Sequence, residues 1–219
     1  MEELYQACCA IPCNLVKIRR LLETKHHTPK ELTQTAQRFV MDDCTFDSDD
    51  FRRENGREPE RGELAVHNLY ELLTLFLEFG LDPNAIEDDG NIMSQLCYVY
   101  NGYDAASSMR LLLENGGNPN LMLEDYSICG WMGVRVSFDL SEYGPDDLDG
   151  MIHTWFVLLG YGGRSSTGEE QIDMKNGHSV EELRQHEQYH YVVERHSAEW
   201  NDWTMHIIHK DTGEEIAIF

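Results

Sequence analysis

His186-Glu187-Gln188-Tyr189-His190 spells the catalytic pattern H-E-x-x-H. On an α-helix, histidines at i and i+4 share a face and bind zinc while the glutamate activates a water molecule. His196 even falls where a longer metalloprotease pattern has its third histidine. Three features argue against that chemistry. That longer pattern needs Gly where this chain has Val193, and the flank Glu181-Glu182-Leu183-Arg184-Gln185 is polar although a catalytic zinc helix is largely buried. The run Tyr189-His190-Tyr191-Val192-Val193 alternates like a strand, which turns adjacent positions to opposite faces. A zinc-dependent hydrolase centred on His186, Glu187 and His190 is therefore the alternative reading, and a non-enzymatic protein without cofactor or metal is the main one.

Other reactive patterns are missing. Gly163-Arg164-Ser165-Ser166-Thr167-Gly168 lacks the spacing of a phosphate loop and reads as a linker, and no G-x-S-x-G elbow occurs. Glu87, Asp88 and Asp89 are carboxylates suited to calcium, without the twelve-residue ligand spacing of an EF-hand. The six cysteines, Cys8, Cys9, Cys13, Cys44, Cys97 and Cys129, form neither paired C-x2-C units nor a regular disulfide framework. They read as buried thiols in a reducing compartment.

Charge restricts the partners. The chain of 219 residues holds 40 Asp and Glu against 17 Lys and Arg, a formal charge of −23. Residues 64–150 carry fifteen acidic residues against only Arg110 and Arg135. Such a surface repels phosphate backbones and anionic lipid, so neither nucleic acid nor membrane is expected as a partner. A basic protein surface is. No run reaches the roughly 20 apolar residues of a membrane helix, and Met1-Glu2-Glu3-Leu4 is acidic where a signal peptide is basic. The expected location is cytoplasmic.

The elements that would position any site are mostly helices. Leu69, Leu72, Leu73, Phe76 and Leu77 fall at i, i+3, i+4, i+7 and i+8, and Ala105, Met109, Leu112 and Leu113 repeat the stripe. Leu32, Ala36, Phe39 and Val40 make another, opened by Thr28-Pro29-Lys30-Glu31, a capping box with Pro at the first helical position. The endings repeat as well. Leu75-Phe76-Leu77-Glu78-Phe79-Gly80-Leu81-Asp82-Pro83-Asn84 returns as Leu111-Leu112-Leu113-Glu114-Asn115-Gly116-Gly117-Asn118-Pro119-Asn120, thirty-six residues later. Each is a Leu-rich helix, a Gly suited to the left-handed cap, and a Pro-Asn turn. Val157-Leu158-Leu159-Gly160-Tyr161-Gly162-Gly163 is a weaker third copy. Near the C-terminus Tyr189, Tyr191 and Val193 alternate, as do Trp203, Met205 and Ile207, and Asp211-Thr212-Gly213 turns the chain toward Glu214–Phe219.

Through these endings, together with Asp89-Gly90 and Leu96-Cys97, the sequence resembles the ankyrin-repeat family. It departs from that family in having Ile92-Met93-Ser94-Gln95 in place of the Thr-Pro-Leu-His box and acidic insertions at about 44–62 and 139–147. The resemblance covers roughly residues 1–163 and is strongest at 75–120. It implies a mainly α, ankyrin-like helical-repeat solenoid over 1–163 with a small β-rich cap, an α+β segment with a β-hairpin, over 164–219. It further implies a protein–protein interaction module whose hairpin tips are Ile86, Glu87, Asp88 and Asp89, then Leu123, Glu124, Asp125 and Tyr126. An acidic module of this kind suits an inhibitor, in the way that immunity proteins neutralise basic nucleases.

Overall fold

The computed structural model describes residues 2–9, 14–44, 69–87, 90–97, 102–142, 149–164, 173–196 and 203–218. Residues 45–62, Asp88, Asp89, the Ser165-Ser166-Thr167 stretch and Trp200 lie outside the described residues. The chain divides into two compact units, Met1–Asn118 and Pro119–Phe219.

The first unit is helical. It contains α1 (Glu2–Cys8), α2 (Leu15–Thr24), α3 (Pro29–Cys44), α4 (Leu69–Glu78), α5 (Ile92–Leu96) and α6 (Gly102–Glu114). Side chains start these helices by satisfying their orphan N–H groups. Asn14 Oδ1 accepts from the Lys17 N–H at 3.0 Å. Thr28 Oγ1 accepts from the Glu31 N–H at 3.2 Å while the Glu31 carboxylate accepts from the Thr28 N–H at 2.9 Å, completing the box ahead of α3. The apolar stripes then become the core, with Ile18, Leu32, Val40, Leu72, Phe76, Met109 and Leu112 all buried. α4 packs on α2, α3 and α6, and α5 packs on α3 and α6. Between α4 and α5 stands a hairpin of β1 (Ile86–Glu87) and β2 (Gly90–Asn91), with Ile86 paired to Asn91 and Glu87 to Gly90.

The second unit opens with a hairpin of the same register. β3 (Met122–Leu123) pairs with β4 (Tyr126–Ser127), Met122 to Ser127 and Leu123 to Tyr126. α7 (Ile128–Glu142) and α8 (Asp149–Gly160) follow and pack together. α8 also packs on a 3₁₀ helix, Val180–Gln188. A four-stranded antiparallel sheet completes the unit, formed by β5 (Asp173–Met174), β6 (Tyr189–Arg195), β7 (Trp203–His209) and β8 (Glu215–Ile218) in the order β5-β8-β7-β6.

The repeated endings form the same turn three times. Gly80, Gly116 and Gly162 take φ of +98°, +91° and +82°, values that suit glycine because a Cβ there crowds the following carbonyl. Beyond each, a five-residue hydrogen bond closes the helix. Leu81 N–H reaches Phe76 O, Gly117 N–H reaches Leu112 O and Gly163 N–H reaches Leu158 O, each at 2.9 Å. A Cβ on Gly117 would lie 2.8 Å from the Leu112 carbonyl oxygen, so close approach also requires a bare backbone there.

The ankyrin-like solenoid expected from these endings is not found. The architecture is a mainly helical chain of eight α-helices with small antiparallel sheets among the described residues. A solenoid stacks one kind of unit so that each touches only its neighbours along a continuous array. Here the compact units part between Asn118 and Pro119, inside the best-matched ending. Helices of five, 13 and 15 residues follow one another as α5, α6 and α7. The reason is physical. A Gly cap and a Pro-Asn turn dictate how a helix stops, and they leave open which face its neighbour covers.

Candidate interaction surface

Each hairpin is held from below, and its tip is what it presents. In the first unit, Asn91 is fully buried and spends its whole amide on the hairpin base. Its Nδ2 donates to Pro83 O and Ala85 O, both at 2.9 Å, and its Oδ1 accepts from the Met93 N–H at 2.8 Å to start α5. Lys30, Gln34 and Gln37 lie at i, i+4 and i+7 along α3 and reach the same hairpin. Lys30 Nζ is 2.8 Å from the Glu87 carboxylate, Gln34 Nε2 is 3.4 Å from it, and Gln37 Nε2 donates to Gly90 O at 2.9 Å. Glu87 is consequently covered, with its side chain only 12% exposed. It works as an internal anchor, and Ile86, 54% exposed, is the hairpin's outward residue. Asp88 and Asp89, read from the sequence as tip residues, lie outside the described residues.

In the second unit, Ser127 takes the place of Asn91. Its hydroxyl accepts from the Gly130 N–H at 2.9 Å at the start of α7 and donates to Arg164 O at 2.8 Å. Glu124 and Asp125 form the turn and are exposed, and Leu123 is half-buried. Glu124 has φ of +53°, a left-handed conformation that costs a non-glycine residue about 1–2 kcal/mol. Met122 is 51% exposed, and Tyr126 is exposed with its ring centroid 5.9 Å from that of Trp131. Two carboxylates therefore stand between an exposed thioether and an exposed phenol.

The four sequence-derived residues Leu123, Glu124, Asp125 and Tyr126 thus fall on one turn, as do Ile86 and Glu87 on another. Reading the sequence for acidic tips missed Met122. The signal was present, because Met122 follows Ile86 by the same thirty-six residues that separate the two endings.

No family model, curated protein or solved structure matches the chain.

The geometry at the H-E-x-x-H segment differs from that of a zinc helix. The backbone of His186 to Gln188 is 3₁₀ helix, with a non-helical kink at Gln185, and β6 begins at Tyr189. His190 is an exposed strand residue opposite Ile208, so His186 and His190 do not share one helical face. His196, the third histidine by spacing, has its Nε2 2.8 Å from Thr204 Oγ1. Among the described residues no group of three His, Cys, Asp or Glu side chains is arranged to hold a metal ion, and no helix is long and apolar enough to cross a membrane.

Proposed function

We propose that the chain is a non-enzymatic protein-binding module whose β3–β4 hairpin contacts a protein partner with a basic surface. One observation carries this reading: Glu124 and Asp125 project from a turn flanked by exposed Met122 and Tyr126. Carboxylates steer a basic partner into encounter, and the apolar side chains beside them supply burial once it has docked. The regional excess of acid over 64–150 extends the attraction beyond the turn. An inhibitor that neutralises a basic enzyme is one form of such a module. A cytoplasmic setting fits six cysteines that show no disulfide framework.

The test compares proteins retained from host extract by the native chain and by a Met122→Lys, Glu124→Lys, Asp125→Lys variant. A protein retained by the first, lost with the second, and binding directly when purified supports the proposal. Identical retention by both forms removes this hairpin as the site.

A further inference from the structure

The first helices carry most of their cations in ion pairs. Residues 1–40 hold six Lys and Arg, and four of these meet a carboxylate: Arg19 with Glu78 at 2.7 Å, Lys30 with Glu87 at 2.8 Å, Arg38 with Glu2 at 3.1 Å, and Lys25 with Glu3. Lys17 and Arg20 of α2 are the exceptions. Both are exposed, and neither forms an ion pair among the described residues. In a chain with 40 acidic residues against 17 basic ones, two neighbouring cations without a carboxylate need a reason.

The helix itself gains nothing from them. Lys17 lies in the first turn of α2, where the positive end of the helix dipole disfavours a cation, and like charges at i and i+3 repel. Asn14 already caps the helix by accepting from the Lys17 N–H. Val16 shares this face, one turn before Arg20. It is 80% exposed, more than any other large apolar side chain among the described residues. Ile18 and Leu22 supply the buried stripe of α2, so Val16 is not needed for the core. The outer face of α2 therefore combines an apolar residue with two unpaired cations.

The β3–β4 hairpin is the complement of this face. It presents two carboxylates, Glu124 and Asp125, beside two exposed side chains suited to apolar contact, Met122 and Tyr126. We propose that the hairpin of one copy of this chain docks on the α2 face of a second copy, with Glu124 and Asp125 against Lys17 and Arg20 and with Val16 covered by Met122 and Tyr126. The inference rests on the reading of the hairpin as a contact for a basic protein surface, and it names that surface. Two different patches meet, so the contact is heterologous, and each pair leaves one α2 face and one hairpin open to further copies. A net charge of −23 on every copy opposes the assembly, which is therefore weak and grows with protein concentration.

Sedimentation equilibrium of the full chain over a wide concentration range tests the proposal, at physiological salt, where charges beyond about 8 Å are screened more than charges in contact. The average mass of the native chain should rise above that of the monomer as concentration increases. The variant Lys17→Glu, Arg20→Glu should stay monomeric, and so should Glu124→Lys, Asp125→Lys, because each sets like charges against each other. Mixing the two variants should bring association back, since every reversed patch then meets its opposite. Acid suits the first turn of α2, so the α2 variant should keep its melting temperature, whereas a purely structural role for the two cations predicts a fall. A native chain that stays monomeric overturns the proposal. So does association that persists in either variant, or that mixing fails to restore between variants with native circular dichroism spectra. The two readings fail separately: a monomeric native chain removes the second copy as partner, while a host protein lost with the hairpin variant still keeps the hairpin as a contact.

Discussion

His178 stands between two carboxylates, with Nδ1 3.1 Å from Glu182 of the 3₁₀ helix and Nε2 3.7 Å from Glu214 in the turn before β8. Asn176 Nδ2 holds that same Glu214 at 2.9 Å. The hydrogen bond that the Glu182 carboxylate accepts is the largest cause and raises the His178 pKa; desolvation opposes it, and the charges of Glu182 and Glu214 add to the rise. A histidine whose folded pKa is raised stabilises the fold fully below its unfolded value and loses that contribution as pH rises through the folded one. Urea midpoints measured from mildly acidic to mildly alkaline pH should therefore include a component that fades on the alkaline side. His178→Gln should remove that component, and identical pH profiles for both proteins would count against the contact. At Glu124 the backbone gives a second expectation. Glycine relieves the left-handed conformation there, so Glu124→Gly should not lower the melting temperature, yet it removes a carboxylate from the turn. Stability held and partner association slowed is the expected pair of results. Stability lost would mean that the Glu124 side chain supports the fold.

Between elements, the turns are joined by asparagine. Asn84 Nδ2 donates to Gly116 O at 2.8 Å and its Oδ1 accepts from the Asn118 N–H at 2.8 Å. Asn120 does the same one step later, with Gly162 O at 2.9 Å and the Arg164 N–H at 2.8 Å. Each side chain thus reads both edges of the next Gly turn. Replacing either by Ala should cost about 1 kcal/mol, the usual net value of such bonds at a partly exposed site. The bonds share no partner, so the double variant should lose the sum in denaturant unfolding, and a strongly non-additive result would show that the two turns are coupled. These pairs also mark the limit of legibility. Gly80 and Gly116 announced themselves, because a Gly after a Leu-rich stripe has a local cause. So did the alternating strands β6 and β7 and the capping box before α3. The Asn84 and Asn120 contacts bridge residues 32 to 44 apart, and nothing local distinguishes these asparagines from ordinary turn formers. The solenoid expectation failed at the same point, since a shared ending does not say which helices meet. At the candidate site, Ile86 and the Glu124-Asp125 turn were legible from turn chemistry. The role of Glu87 was not, because its partner Lys30 lies on a helix 57 residues earlier.

At the scale of the whole chain, charge and core act on different observables. Exposed charges are screened over about 8 Å at physiological salt, so association with a basic partner should slow as salt rises. Reversing Glu124 and Asp125 to Lys should slow it further while the melting temperature stays nearly constant. Leu112→Ala does the converse. Leu112 is completely buried in α6, and the cavity left behind should cost about 2–5 kcal/mol with little direct effect on encounter rate. Stopped-flow association and thermal melting on the same variants separate the two, and a tip reversal that destabilised the fold would break the separation.

Tyr126 and Trp131 place an optical reporter beside the proposed contact. An indole's emission follows the polarity around its ring, and Trp131 is half-buried against an exposed hairpin residue. Trp155, by contrast, is sealed at 3% exposure with its ring against Gly133. A partner that covers Met122 and Tyr126 should shift the colour and quenching of Trp131 and leave the Trp155 signal in place, so docking becomes visible without any attached dye. Trp131→Phe should keep the binding and silence that shift; a shift that persists in this variant would mean the light is reporting from somewhere else.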